Sequence, residues 1–254
     1  MAGVSTVALL ERKPGISRSL FSRYWRDIHG VMAARIPGFA SYIQHHVTPL
    51  ANVGSKDPEQ FEGIAIVTYA SEADRNGLIH SEITSHIHRD EQNVFRRALL
   101  YNLGAGESRI ELAGDGATRV FLVIPEGSDP AVTIAGLQAA GATAIEYHDL
   151  TGGDPGGWND TDVDDGGKGR QFVAVIVSLW PDQPTALAGI TKIVAASGGA
   201  IAAYLTDERY IMVENGRPTP LGLRGLDAVR TIEEAGAVNQ LAHRVEDAIY
   251  GPLS

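Results

Sequence analysis

The chain has 254 residues, 44% hydrophobic and 20% charged, with no cysteine and a formal net charge of -10. That length can bury one large core or two of roughly 125 residues each. The acidic balance opposes binding to phosphate backbones and anionic lipid, so neither a nucleic-acid nor a membrane partner is expected. The lack of cysteine excludes a disulfide framework, a thiol nucleophile and thiolate metal sites, and it fits a cytoplasmic setting.

The first apolar run, "VSTVALLE" from Val4 to Glu11, has no basic residue before it and reads as a strand rather than a leader. No apolar stretch reaches the ~18 residues of a membrane span. Pro14 and Gly15 mark a turn, and Ser17 is placed to cap a helix. From there Phe21, Tyr24, Trp25, Ile28 and Met32 follow the helical spacing of one buried face. On a regular wheel His29 falls about 70° from the centre of that stripe, at its margin.

Pro37 and Gly38 end the helix, and "FASYIQHHV" alternates as a strand. Phe39, Ile43, His45 and Val47 share one face; Tyr42, Gln44 and His46 share the other. "GIAIVTYA" is a third strand, Ser71 opens a helical region running to about Leu100, and "SRIEL" (Ser108 to Leu112) is the expected fourth strand. The order β-α-β-β-α-β is that of a ferredoxin-like unit.

The second half repeats it. "TRVFLVIPEG" mirrors the first strand and turn, and "GATAIEYHDL" overlays "GFASYIQHHV" without a gap, setting His148 on His45. "RQFVAVIVSLW", "QPTALAGITKIVAA" and "GAIAAYLTDERYIMVEN" supply strand, helix and strand. The expected fold class is therefore α+β: two tandem ferredoxin-like copies, 1–114 and 115–254, whose sheets face each other as a barrel within one chain. An acidic, glycine-rich loop occupies 151–170. Its Asp160, Asp162 and Asp164 alternate as in an EF-hand, but Asp165 stands where glycine is required and Gln171 where a carboxylate is required. No phosphate-cradling glycine motif is present either.

The run from Arg12 to Val47 contains Lys13-Pro14-Gly15, Phe21-x-x-Tyr24-Trp25, His29-Gly30, Pro37-Gly38, Tyr42 and a strand-end His46. This pattern resembles the EthD family of the dimeric α/β-barrel superfamily. The resemblance implies a cofactor-independent lyase or isomerase, catalysing decarboxylation, dehydration or cyclisation of a hydrophobic aromatic or polyketide-like molecule. Its matched positions give His29, His46 and Tyr42 as catalytic candidates, with Tyr24, Trp25 and Phe21 around the substrate. Histidine is suited to such work because its unperturbed pKa lies near neutrality, at about 6.5.

Whether His29 shares a cavity with Tyr42 and His46, or sits at a helix flank, is left open by the residues themselves. "HSEITSHIHRDE" adds His86 and His88 as possible pocket residues, although a solvated helix face carrying a His86/Asp90 pair is the plainer reading. His45 and His148 are expected to be structural, since two histidines are few for a zinc site. No metal or cofactor is expected. The rival functions are a haem- or oxygen-dependent oxidoreductase on the same barrel and a non-catalytic ligand-binding or stress-related barrel; a homodimer through other faces is compatible with each.

Overall fold

In β1, Val4–Arg12, nearly every residue is apolar or small, because both faces of this strand are covered. The computed structural model describes residues 4–50, 60–152, 154–156, 163–166 and 172–251. After β1 comes one helical run in three parts: α1, Arg18–Tyr24; a π-helical turn, Trp25–His29; and α2, Gly30–Ala33. Ser17 caps it, its hydroxyl accepting from the Leu20 amide at 3.1 Å. Then follow β2, Phe39–Pro49; β3, Gly63–Tyr69; α3, Glu72–Gly77; α4, Glu82–Val94; and β4, Phe95–Leu103.

The second half holds β5, Ser108–Leu112; β6, Thr118–Pro125; α5, Pro130–Ala139; β7, Ala144–Asp149; β8, Asp154–Gly156; β9, Phe172–Trp180; α6, Gln183–Ala196; and β10, Ala202–Glu214. Helices α5 and α6 start on Asp129 and Asp182 caps with proline in the first turn, where a missing N–H costs nothing. A C-terminal arm adds β11, Arg217–Pro218; α7, Pro220–Arg224; α8, Leu226–Glu234; and α9, His243–Tyr250. Its α7 and α8 pack on the first helical run, where Asp27 Oδ1 accepts the Leu226 amide at 2.8 Å.

The strands form a single antiparallel sheet in the order β5-β7-β9-β6-β10-β2-β3-β1-β4-β8. Within it, β2-β3-β1-β4 and β7-β9-β6-β10 have the same internal order, the 2-3-1-4 arrangement of a ferredoxin-like unit. The long β10 pairs with both β6 and β2 and so joins the halves. Curled on itself, the sheet is a nearly closed barrel, and a Ser5 Oγ to Ser108 Oγ hydrogen bond of 2.8 Å ties its two end regions together. Val7, Leu9, Val47, Phe121, Val175 and Tyr204 fill the interior. Two further cores lie outside the barrel, one between the first sheet and α1 to α4, the other under α5 and α6.

Three expectations are corrected. The fourth strand of the first half is β4, not "SRIEL": Phe95–Leu103 takes its ladder from the free edge of β1, from Ser5↔Leu103 to Arg12↔Phe95. Its Arg, Ala and Leu content favours a helix locally, and pairing with β1 overrides that preference. "SRIEL" is instead the extra strand β5, paired with β7 of the second half. Phe39 does not share the face of His45, because a register shift between Phe39 and Ser41 turns it towards Tyr42 and Tyr69, with ring centroids 5.8 and 5.3 Å away. Finally, Ile28 is 49% exposed rather than part of the buried stripe. Of the acidic loop, Asp160 and Asp162 lie outside the described residues, while Asp164 pairs with Arg97 at 3.4 Å.

A candidate active site beneath the first helix

The displacement of Ile28 comes from the π turn. There the Gly30 amide bonds back to the Trp25 carbonyl, five residues earlier, and the wider turn slows the helical rotation. Ile28 swings to solvent and His29 swings inward, to 6% exposure. The same Trp25 carbonyl accepts a second hydrogen bond from Gln44 Nε2 on β2 at 3.0 Å, and that amide also donates to the Tyr42 hydroxyl at 2.8 Å. Glycine is needed after His29 because a Cβ on Gly30 would lie 2.4 Å from Gln44 Nε2 and 2.9 Å from Met212 Cε.

Beneath this turn a narrow apolar cavity of about 100 Å³ lies between helices and sheet. Trp25 and His29 line it from above, Ala8, Tyr42, Ala65, Val67 and Tyr69 from the sheet, and Ile87 and Glu91 from α4. A dry cavity of ~150 Å³ accommodates benzene, so this one matches a small substrate or one end of a larger one.

The polar end of the cavity is built by α4. Its inward stripe runs Thr84, Ile87, Asp90, Glu91, Val94, so two acids occupy positions where helical spacing would place apolar residues. Asp90 Oδ2 accepts from His29 Nδ1 at 3.1 Å, and its Oδ1 accepts from the Tyr24 hydroxyl at 2.5 Å and from Asn93 Nδ2 at 3.1 Å. Burial alone would raise the Asp90 pKa, but the hydrogen bonds from His29, Tyr24 and Asn93 outweigh it and hold the carboxylate ionised, below the ordinary range. Burial, followed by the bond to Asp90 and its charge, lifts the Tyr24 phenol to about 12. With Nδ1–H committed to Asp90, the free nitrogen of His29 is Nε2, in the tautomer of a base.

Glu91 differs from its neighbour. It is 5% exposed, and its Oε2 has no hydrogen-bond partner among the described residues. Burial, with the Asp90 charge added, pushes its pKa up to about 8, which favours the neutral acid near pH 7.

Trp25 separates this cavity from His46. The indole stacks on the His46 ring at 4.5 Å and rests on Gly63, where a Cβ would come within 2.7 Å of the indole. Gly63 is the cross-strand neighbour of His46, so the ring and the missing side chain together seat the tryptophan. His46 Nε2 reaches Gln44 Oε1 at 3.3 Å and its Nδ1 accepts from Ser22 Oγ at 2.8 Å, a tautomer fixed by the amide orientation that Tyr42 and Trp25 impose. Burial, then the charges of Arg26 and Arg18, lower its pKa to about 3. The residue borders an open polar cleft of about 530 Å³ edged by Arg18, Arg26, Glu62, Asp207 and Arg230.

The sequence candidates therefore divide. His29, Trp25 and Tyr42 meet at one cavity; Tyr24 supports it through Asp90; Phe21 stacks on the outer side of Trp25 at 5.8 Å and, with His46, faces the separate cleft. His46 is thus not in the cavity of His29, because an indole stands between them. His86 is exposed on the outer side of α4 and His88 is half-buried, and neither lines the cavity. Asp90 is turned inward, so the exposed His86/Asp90 pair does not form. His45 lies inside the barrel, 4.8 Å from the Phe121 ring, and His148 Nδ1 bonds Ser108 Oγ at 2.9 Å. Among the described residues no group of three or more metal-ligating side chains occurs. A larger cleft of about 590 Å³ between α5 and α6 holds Asp129 and Lys192 amid small and apolar residues, and it has no histidine.

The residues missed at sequence level are Asp90 and Glu91. A signal existed: between Ile87 and Val94 the inward positions are filled by acids, which a solvated face does not explain.

Residues 13–97, about a third of the chain, match the EthD domain family. No curated protein matches the chain. Among solved structures, an anthrone oxidase-like protein is similar over 85% of this chain and 96% of its own, with 12% identity and a TM-score of 0.50. The siroheme decarboxylase NirDL is similar over 91% of this chain and 79% of its own, with 8% identity and a TM-score of 0.39. The first of these shares the barrel fold. No helix among the described residues is long and apolar enough to cross a membrane.

Proposed function

Starting from an EthD domain at residues 13–97, we propose that this protein is an enzyme that moves a proton on an apolar small molecule held in the cavity beneath Trp25 and His29. The observation that carries the reading is the His29–Asp90 pair, buried and hydrogen-bonded at 3.1 Å, on the wall of an otherwise apolar space. Asp90 orients the imidazole and stabilises the imidazolium; His29 Nε2 takes the proton and returns it; Trp25 and the sheet residues exclude water. Tyr42 is placed to contact the substrate from the floor. The reaction class is that of a lyase or isomerase, a decarboxylation, dehydration or cyclisation run by acid–base chemistry without a cofactor.

A porphyrin does not fit a cavity of about 100 Å³, so the site as built does not support haem chemistry on His29. The cavity volume also favours a single-ring substrate over a fused polyketide, unless α4 moves from the sheet. The cysteine-free composition supports a cytoplasmic setting.

The test is a panel of small aromatic and alicyclic acids, alcohols and ketones incubated in D₂O and followed by NMR for product or deuterium uptake. Wild type is expected to act on at least one, and His29→Gln to lose that activity by about a hundredfold. Equal rates for the two proteins would overturn the reading.

A further inference from the structure

We infer that Glu91 is the proton donor of this site and that the substrate group it meets is a carbonyl oxygen; the inference rests on the His29 reading above. Glu91 projects from α4 into the cavity that His29 enters from the opposite helix, and its Oε2 is buried without a partner among the described residues. A buried polar atom left unbonded costs on the order of 1–3 kcal/mol, and native structures leave few of them. Here the missing partner is supplied by a ligand. A carboxylic acid offers one O–H donor, and the complementary group on an otherwise apolar molecule is an acceptor with no hydrogen of its own to place.

His29 and Glu91 then do opposite work on one substrate. His29 Nε2 takes a proton from the carbon next to the carbonyl; that C–H electron pair becomes the carbon–carbon π bond, the C=O π pair moves to oxygen, and the oxygen takes the Glu91 proton. The products are an enol, a Glu91 carboxylate and a His29 imidazolium paired with Asp90. From the enol, the Glu91 carboxylate takes back the O–H proton and that pair re-forms the C=O. The carbon–carbon π pair then either collects the imidazolium proton, or a deuteron exchanged onto it, at the α-carbon, or becomes the α,β π bond as a β-substituent leaves with its bonding pair and takes the His29 proton. Hydrogen exchange or elimination results, and no oxidant or reductant enters. The division of labour follows from environment: Asp90 is bonded by three donors and stays charged, whereas no donor among the described residues reaches Glu91 Oε2 and burial favours its protonated form. The titratable groups that line the cavity with Glu91 are His29 across it and Tyr42 and Tyr69 on the sheet; on its own helix Asp90 is adjacent and the half-buried His88 lies one turn earlier.

The probe is cyclopentanone, a small enolisable ketone, with exchange of its α-hydrogens in D₂O followed by NMR. Wild type is expected to accelerate exchange over buffer, with a rate that falls as pH rises through about 8. Glu91→Gln, close in shape but unable to give up a proton, is expected to lose about a hundredfold and the alkaline fall with it. In parallel, an infrared difference spectrum between wild type and Glu91→Gln at pH 7 is expected to contain a protonated-carboxyl band. If Glu91→Gln exchanges as fast as wild type while His29→Gln does not, the Glu91 assignment is overturned and the base stands. If neither variant matters, both fall. Absence of exchange by wild type overturns the carbonyl assignment, and absence of the infrared band overturns the neutral acid.

Discussion

His29 and Asp90 are 61 residues apart in the chain and 3.1 Å apart in the fold, Nδ1 to Oδ2, both beneath the surface. The contact exists because a π turn rotates His29 off the helix margin and because α4 places an acid where spacing calls for an apolar side chain. Asp90→Asn is nearly isosteric but removes the charge that favours the imidazolium. The expected result is a fall of about a hundredfold in kcat with KM little changed, since Asp90 does not line the substrate cavity. A rise in KM with kcat unchanged would show that Asp90 only shapes the pocket.

Gly30 and Gly63 are close-approach glycines, one under Gln44 and Met212, the other under Trp25. Gly30→Ala and Gly63→Ala should each destabilise by about 1–3 kcal/mol, because the Cβ meets packed atoms that cannot withdraw without breaking the Gln44 network or lifting the indole. Gly77→Ala, with nothing within 4 Å of its Cβ, is the control and should cost little. Chemical denaturation of the three variants checks this; equal midpoints would show that the helix floats free of the sheet.

Much of this architecture was legible because it rests on periodicity. Phe21 and Trp25 announce a helix with one buried face, "QPTALAGITKIVAA" is α6 residue for residue, and the half-length repeat corresponds to the matching strand orders β2-β3-β1-β4 and β7-β9-β6-β10 within the one sheet. The strand parity that sets Tyr42, Gln44 and His46 against His45 and Val47 also holds. What a regular wheel cannot show is the extra residue of the π turn, which decides between Ile28 and His29. Nor can local pattern show β4, whose strand state comes from the edge of β1, or the indole that parts His29 from His46. The two acids of α4 suggest a solvated face because charge normally implies solvent, and only the opposite helix reveals why they turn inward.

Trp25 is fully buried, with Phe21, His46 and Phe95 rings around it at 4.5 to 6.5 Å. Trp25→Ala should cost about 3–5 kcal/mol and open the His29 cavity into the polar cleft of His46. The enlarged space should then bind a bicyclic aromatic such as naphthalene that wild type excludes. Wild-type stability in the variant would mean that neighbouring side chains collapse into the gap and that the indole is not the partition.

Glu91 and His46 tilt the stability of the fold in opposite directions with pH. Glu91 has a pKa of about 8 when folded against an ordinary 4.5, so between those values the native state holds a proton that the unfolded chain has released, and stability falls as pH rises. His46 has about 3 when folded against an ordinary 6.5, so between those values the unfolded chain binds a proton the native state refuses, and stability falls as pH drops. Each pKa unit corresponds to about 1.4 kcal/mol, which makes both effects a few kcal/mol at most. Glu91→Gln should therefore flatten the loss of stability between pH 5 and about 8 relative to wild type, and His46→Gln the loss below about 6.5. Urea midpoints across pH for the three proteins measure both slopes. Parallel curves for wild type and Glu91→Gln would mean that Glu91 is ionised in the folded state, which removes the proton from the group assigned to donate it.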